Sequence, residues 1–346
     1  MSFWPLIRLL PKKTSFTYVK FAGFAAFASV FCVVGSLASM FTGGFTLNPI
    51  SVYQQADGSP LARVGAVMER GFNLGIDFRG GTSILIESPH PIDEAALSAL
   101  GSRVQDGDVE VQGTTCRPEN APPYCAYLNF ETSPDASQTV EEIRDGLASV
   151  AEGARIANVD VVSAKVSEEL FSGGLLALGG AILLMLVYIW FRFEWQFGVG
   201  AVLALFHDVI LTLGLFSVFR FEFTLTIIAA LLTIIGYSMN DTVVVFDRLR
   251  ENLRKFKRMS MADVIDLSLN ETLSRTIITG CTALFALTGL LFLGGEALSG
   301  FAIAMIFGIL IGTYSSLYVA APAVMMFGAR RIREGGAPAS TPQAAR

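Results

Sequence analysis

Charge is scarce in this 346-residue chain. Asp, Glu, Lys and Arg make up 16% of it, against about 25% in average soluble domains. That shortfall sets aside an ordinary soluble enzyme, a disordered protein and a nucleic-acid binder. Histidine is nearly absent, with only His90 and His207, and there are four cysteines. A dedicated multi-ligand metal site does not fit so few donors. The sequence also lacks a G-x-x-x-x-G-K-[ST] phosphate loop, so no nucleotide site is expected. Neither a metal nor a cofactor is anticipated. Apolar residues, by contrast, are plentiful: 52% of the chain, with 27 Phe and 33 Gly and a mean hydropathy of +0.54. This mix suits helices in lipid.

A helix crossing the hydrocarbon core needs about 20 apolar residues. Six runs qualify: 19–41, 173–191, 197–219, 223–246, 276–293 and 300–327. The first resembles the apolar part of a signal peptide but is far longer, and is read as an uncleaved anchor. Basic residues beside the spans set their direction. Segment 1–18 and the first span together carry Arg8, Lys12, Lys13 and Lys20, with no acid before residue 21. The link 247–275 holds seven basic residues, and the tail 328–346 holds Arg330, Arg331 and Arg333. Six spans put all three on one side, so both termini are expected in the cytoplasm of a multi-pass inner-membrane protein. Residues 335–346, rich in Gly, Ala and Pro, read as a disordered tail.

Segment 42–172 is then the one large exported piece. It holds 19 acidic and 8 basic residues, a net of −11, while the whole chain carries −5. The acidity therefore belongs to this domain, and the remainder is basic. Strand-like runs at 83–87, 109–111, 126–130 and 156–162 alternate with helical patterns after Pro91 and over 137–150. The order β-α-β-β-α-β predicts a ferredoxin-like fold. Cys116 and Cys125 bracket a loop between two of these strands, and in an oxidising compartment they are a candidate disulfide. Ahead of the first strand, Asp77, Arg79, Gly80 and Gly81 mark a sharp reversal. A structural turn seating the domain above the first span is preferred there to a substrate contact. The domain offers His90 alone and no nucleophile–base spacing, so it is not expected to be an enzyme.

Charges inside spans are the strongest functional signal in such a sequence. The third span carries His207-Asp208, with Thr212 one turn on. The fourth carries Tyr237-Ser238-Met239-Asn240-Asp241, in which Tyr237 and Ser238 share the face of Asp241. His207, Asp208, Tyr237 and Ser238 are grouped as a secondary polar cluster. Asp241 lies roughly 7 Å from the end of its apolar run, toward the cytoplasm. Arg275 opens the fifth span, so spans four and five form a hairpin with an acid and a base at similar depth. A nearby cation favours the carboxylate, and removal from water favours the neutral acid. Such a group serves as a proton relay or as a buried anchor, and periodicity alone does not separate the two. Small residues promise close packing: Gly308, Gly312 and Ser316 on span six, Thr276, Thr279, Thr282 and Ala286 on span five, and Gly179-Gly180, Gly198 and Gly200 elsewhere. Residues 260–273 read as an amphipathic surface helix.

Several blocks resemble the SecD/SecF family of protein translocase subunits, within the RND superfamily. They are residues 73–82, 162–167, 204–213, 236–252 (GYSMNDTVVVFDRLREN), 270–276 (NETLSRT) and 302–319. The resemblance implies half of a twelve-helix unit completed by SecD, which assists export of an unfolded secretory polypeptide through the SecYEG translocon. YajC and YidC are further partners it implies, besides membrane lipid. Drive comes from the proton-motive force. Positions matching Asp241 and Arg275 belong to the family's proton pathway, and Asn240 sits in the same block. Phe246 departs from the familiar VVSDR form, which puts a relay role for that position in doubt. A proton-coupled exporter of small solutes, and a passive assembly subunit, remain the competing readings.

Overall fold

The computed structural model describes residues 14–45, 53, 71–104, 109–114, 122–130 and 136–326. Cys116, most of the N-terminal segment 1–18 and the tail 328–346 lie outside the described residues. Six helices are long and apolar enough to cross a membrane. The first is α1, Tyr18–Thr42, which ends as Gly43 turns left-handed at φ 54°.

The α/β domain follows. A two-residue strand β1 (Asn73–Leu74) and a single-turn α2 (Ile76–Arg79) lead into it. Then come β2 (Gly81–Ser88), α3 (Glu94–Val104), β3 (Val109–Thr114), β4 (Tyr124–Phe130), α4 (Ala136–Gly146) and β5 (Arg155–Val162). The four long strands form one antiparallel sheet in the order β3-β4-β2-β5. Ile84 pairs with Leu128 on one side and Val159 on the other. With Ile86 and Phe130 it meets Leu97 and Leu100 of α3 and Ile143 of α4 in a dry core. Period-two alternation in the strands and helical spacing in α3 and α4 thus deliver their apolar faces to one seam. Cys125 lies on β4, buried, between Glu87 and Thr114.

The remaining spans are α5 (Ala164–Arg192), α6 (Trp195–Phe219), α7 (Leu225–Lys255), α8 (Met261–Leu293), and a sixth built from α9 (Glu296–Ser315), a π turn (Ser316–Ala320) and α10 (Ala321–Met326). A second two-residue strand, β6 (Glu222–Phe223), joins α6 to α7. The inner helices are α6, α7 and the sixth span, each about half buried over its apolar window, whereas α1, α5 and α8 stand outside. Pro322, just past the π turn, has no N–H to continue the ladder, which accounts for a widened turn there.

Three expectations change. The helix of span two starts at Ala164, nine residues before the apolar run, because Ser163 caps it by accepting from the Val166 N–H. The surface helix at 260–273 is not separate. Ser260 caps the start of α8, which runs on unbroken into span five. The small residues also divide. A Cβ on Gly308 would overlap Ile234, one on Gly312 would lie 3.0 Å from the Ser238 Cβ, and one on Gly200 2.8 Å from the Ala320 carbonyl. Those three are close-packing positions. Gly179 and Gly180 meet nothing within 4 Å, and Thr279, Thr282 and Ala286 point outward, with only Thr276 of that stripe buried.

Candidate functional site in the membrane helices

Asp241 stands midway along α7. Thr276 of α8 donates its hydroxyl to Asp241 Oδ1 at 2.6 Å. The other oxygen, Oδ2, is buried and has no hydrogen-bond partner among the described residues. Asp241 itself lines a small cleft together with Tyr237, Asn240, Arg275, Thr276, Thr279 and Thr313. Tyr237, one turn before Asp241, also has its hydroxyl buried without a partner. Arg275 and Asn240 are exposed on the outer side of this cleft.

Asp241, Arg275 and Asn240 therefore line one cleft. Among the described residues no salt bridge joins Asp241 to Arg275, and the direct partner is Thr276. The reason is helical rotation. Consecutive residues are 100° apart, so once Thr276 turns inward against α7, Arg275 points to the mouth of the cleft. The site holds an acid with one oxygen bonded, four hydroxyl-bearing side chains and a guanidinium around a small cleft.

The second acid is placed differently. Asp208 of α6 is 1% exposed. Its Oδ2 accepts from Ser238 Oγ at 2.5 Å and from Ser315 Oγ at 2.8 Å. Its Oδ1 lies 2.9 Å from His207 Nδ1. Thr212 bonds the Asp208 backbone carbonyl, not its carboxyl. The His207 ring stacks on Tyr314, whose hydroxyl donates to the Ala25 carbonyl of α1 at 2.9 Å. The predicted cluster thus keeps His207, Asp208 and Ser238 and loses Tyr237. Ser238 turns away from Asp241, and adjacent residues of α7 serve two different sites. Tyr314 and Ser315 were missed as partners. Their signal was the polar run Gly-Thr-Tyr-Ser-Ser inside an apolar helix.

Phe246 is fully buried, edge-on to Phe193 at 5.7 Å and Phe197 at 5.3 Å. It is core, not relay. Asp77 accepts from the Leu225 N–H at 2.9 Å, Arg79 is exposed, and Gly80 and Gly81 take φ of +74° and +117°. Among the described residues no group of three or more His, Cys, Asp or Glu is arranged to hold a metal.

Six apolar helices, an α/β domain between the first two, and an acid–base cleft between the fourth and fifth define a class of multi-pass membrane protein. Residues 142–330 match the model described as protein export membrane protein SecD/SecF, C-terminal, and residues 66–88 match the SecD/SecF GG motif. The protein translocase subunit SecF of Cereibacter sphaeroides is 45% identical over 275 residues, covering 78% of this chain and 85% of that one. The protein translocase subunit SecDF of Brucella abortus is 40% identical over 260 residues, covering 75% of this chain and 34% of its own. A crystal structure of SecDF from Thermus thermophilus, titled a translocon-associated membrane protein, superposes with a TM-score of 0.74 at 29% identity over 93% of this chain. This chain spans 40% of that longer one. The chain belongs to the SecD/SecF family of protein export membrane proteins.

Proposed function

We propose that this chain works as the SecF half of a SecD–SecF unit that uses the proton-motive force to assist polypeptide export through SecYEG. Membership of the family and the naming of its relatives as translocase subunits support the export role. The SecDF chain of Brucella abortus, in which the two halves are one polypeptide, supports SecD as partner. On this reading both termini are cytoplasmic, and the domain between the first two spans is exported and ferredoxin-like. The strand order β3-β4-β2-β5 with α3 and α4 on one face supports that fold. An unfolded secretory chain is its contact, and Cys116 and Cys125 are bridged in that compartment. A reporter fused to Arg346 is expected to give a cytoplasmic signal.

The observation that supports the proposal is a membrane-helix acid, Asp241, with its Oδ2 buried and unpartnered among the described residues, lining one small cleft with Arg275. A proton moving down 100 mV releases about 2.3 kcal/mol. A few protons are enough to bias a rearrangement of several kcal/mol. Protonation of Asp241 removes its attraction to Arg275, and α7 and α8 repack. Return of the proton to the cytoplasm restores the charge and the first packing. Asp241→Asn is expected to assemble with SecD normally and to lose the gradient-dependent stimulation of export in membrane vesicles. Full stimulation by that variant would refute the relay.

A further inference from the structure

Helix α7 lacks a cap of its own. Thr224 stands at the N-cap with extended backbone, but its side chain caps nothing and its hydroxyl pairs with Thr226 at 2.8 Å. The first turn of a helix leaves N–H groups without intrahelical partners. Here Asp77, 148 residues earlier in the chain, supplies the missing acceptor to Leu225 at 2.9 Å. Its charge also suits the positive end of the helix.

The bond is one part of a joint. β1 pairs in parallel with β6, Asn73 opposite Glu222 and Leu74 opposite Phe223. The Gly75 N–H donates to the Phe223 carbonyl at 2.9 Å. A side chain at Gly75 would come within 2.7 Å of Glu222 Oε1 and 3.0 Å of the Thr224 methyl. Phe78 packs on Phe223 and on Phe171 of α5. Immediately past the joint, Gly80 and Gly81, both at positive φ, turn the chain into β2, the strand between β4 and β5. From Leu225 to Asp241, α7 is unbroken and free of proline, a rod of about 24 Å.

We propose that Asp77 is a positioning residue that fastens the base of the α/β domain to the outer end of α7, so that displacement of the helix at Asp241 reaches the domain through this cap. The inference rests on the proton-driven reading for its transmission step, but the cap itself does not. The test uses the full chain assembled with SecD in lipid nanodiscs and in proton-loaded vesicles. Asp77→Ala, Asp77→Asn and Asp93→Ala are compared. Asp93 is a control because it caps α3 inside the domain, accepting from Ala95 and Ala96. Hydrogen exchange at the amides of residues 225–228 should rise about 2- to 30-fold in Asp77→Ala. It should stay near wild type in Asp77→Asn, which keeps an acceptor oxygen, and in Asp93→Ala. Gradient-dependent export should fall at least threefold in Asp77→Ala, with SecD still bound, and recover in Asp77→Asn. Unchanged exchange in Asp77→Ala, or no recovery with Asn, overturns the cap. Faster exchange with full export stimulation overturns the transmission role. Absence of any stimulation in wild type would instead count against the proton-driven reading, leaving the exchange result to decide the cap.

Discussion

Asp208 and Asp241 both sit within the apolar runs of membrane helices, and they have opposite surroundings. Asp208 is saturated: two serine hydroxyls and an imidazole reach its oxygens, drawn from α6, α7 and α9. Asp241 has one hydroxyl and one orphaned oxygen, at the edge of a cleft. A polar group buried in hydrocarbon is tolerated when every bond is made. A group with a bond left over is a place where a proton or a water can enter. The first arrangement fixes helices in one packing. The second ties α7 to α8 by a single side-chain bond at 2.6 Å. The difference arises from rotation about α7: Ser238 and Asp241 are three residues apart, yet Ser238 faces the inner helices and Asp241 the outer hairpin.

The sharpest way to break the comparison is to remove both acids in turn. Asp208→Ala deletes the acceptor of Ser238 and Ser315 and leaves His207 without a partner for Nδ1. Membrane hydrogen bonds average about 0.6 kcal/mol in double-mutant cycles. Three of them, together with the vacated volume, put the loss at roughly 2–3 kcal/mol. Asp241→Ala removes a single bond and opens an existing cleft, for less than about 1 kcal/mol. Thermal unfolding of the two purified variants in detergent checks this ranking. Equal destabilisation would mean that Asp241 is an anchor too.

Packing around each acid offers the next contrast. Gly308 and Gly312 bring the sixth span against Ile234 and Ser238, which sets the distance from Ser315 to Asp208. Gly308→Val adds methyl groups where a Cβ alone already overlaps Ile234, and overpacking costs about 1–3 kcal/mol. Gly179→Val, at a position where a Cβ meets nothing within 4 Å among the described residues, should alter the stability of the isolated subunit by less than about 0.5 kcal/mol. If Gly179→Val instead disrupts binding to SecD, that face is covered in the assembly. Co-purification yields for the two variants separate these outcomes.

What the sequence could and could not reveal follows the range of the forces involved. Spans were legible because twenty apolar residues in a row have few other uses. Asp208 and Asp241 stood out because an acid in such a run is costly. The β-α-β-β-α-β order followed from local periodicity. Partners were another matter. Ser315 lies 107 residues from Asp208 and Asp77 lies 148 from Leu225. Such pairings are set by how whole helices pack, which no local pattern encodes. That Thr276, the neighbour of Arg275, is the residue bonding Asp241 was hidden for the same reason. Depth could be read from the hairpin, but the rotation of α8 could not. Phe246 was seen as a departure from the family form, and only its contacts with Phe193 and Phe197 explain it as packing.

The smallest expected change in stability carries the most specific test. Thr276 donates its hydroxyl to Asp241 at 2.6 Å. Thr276→Val keeps the shape and removes the hydroxyl, so stability should fall by about 0.5–1.5 kcal/mol at most. If Asp241 were an anchor like Asp208, nothing further would follow. If it exchanges protons, loss of this bond changes how readily it releases one. Gradient-driven export should then slow severalfold, while binding to SecD and the fold of the α/β domain stay intact. Thr276→Ser, which restores the hydroxyl without the methyl, should recover the rate. A Val variant that exports at the wild-type rate would place Asp241 beside Asp208, as a second fixed point in the bundle.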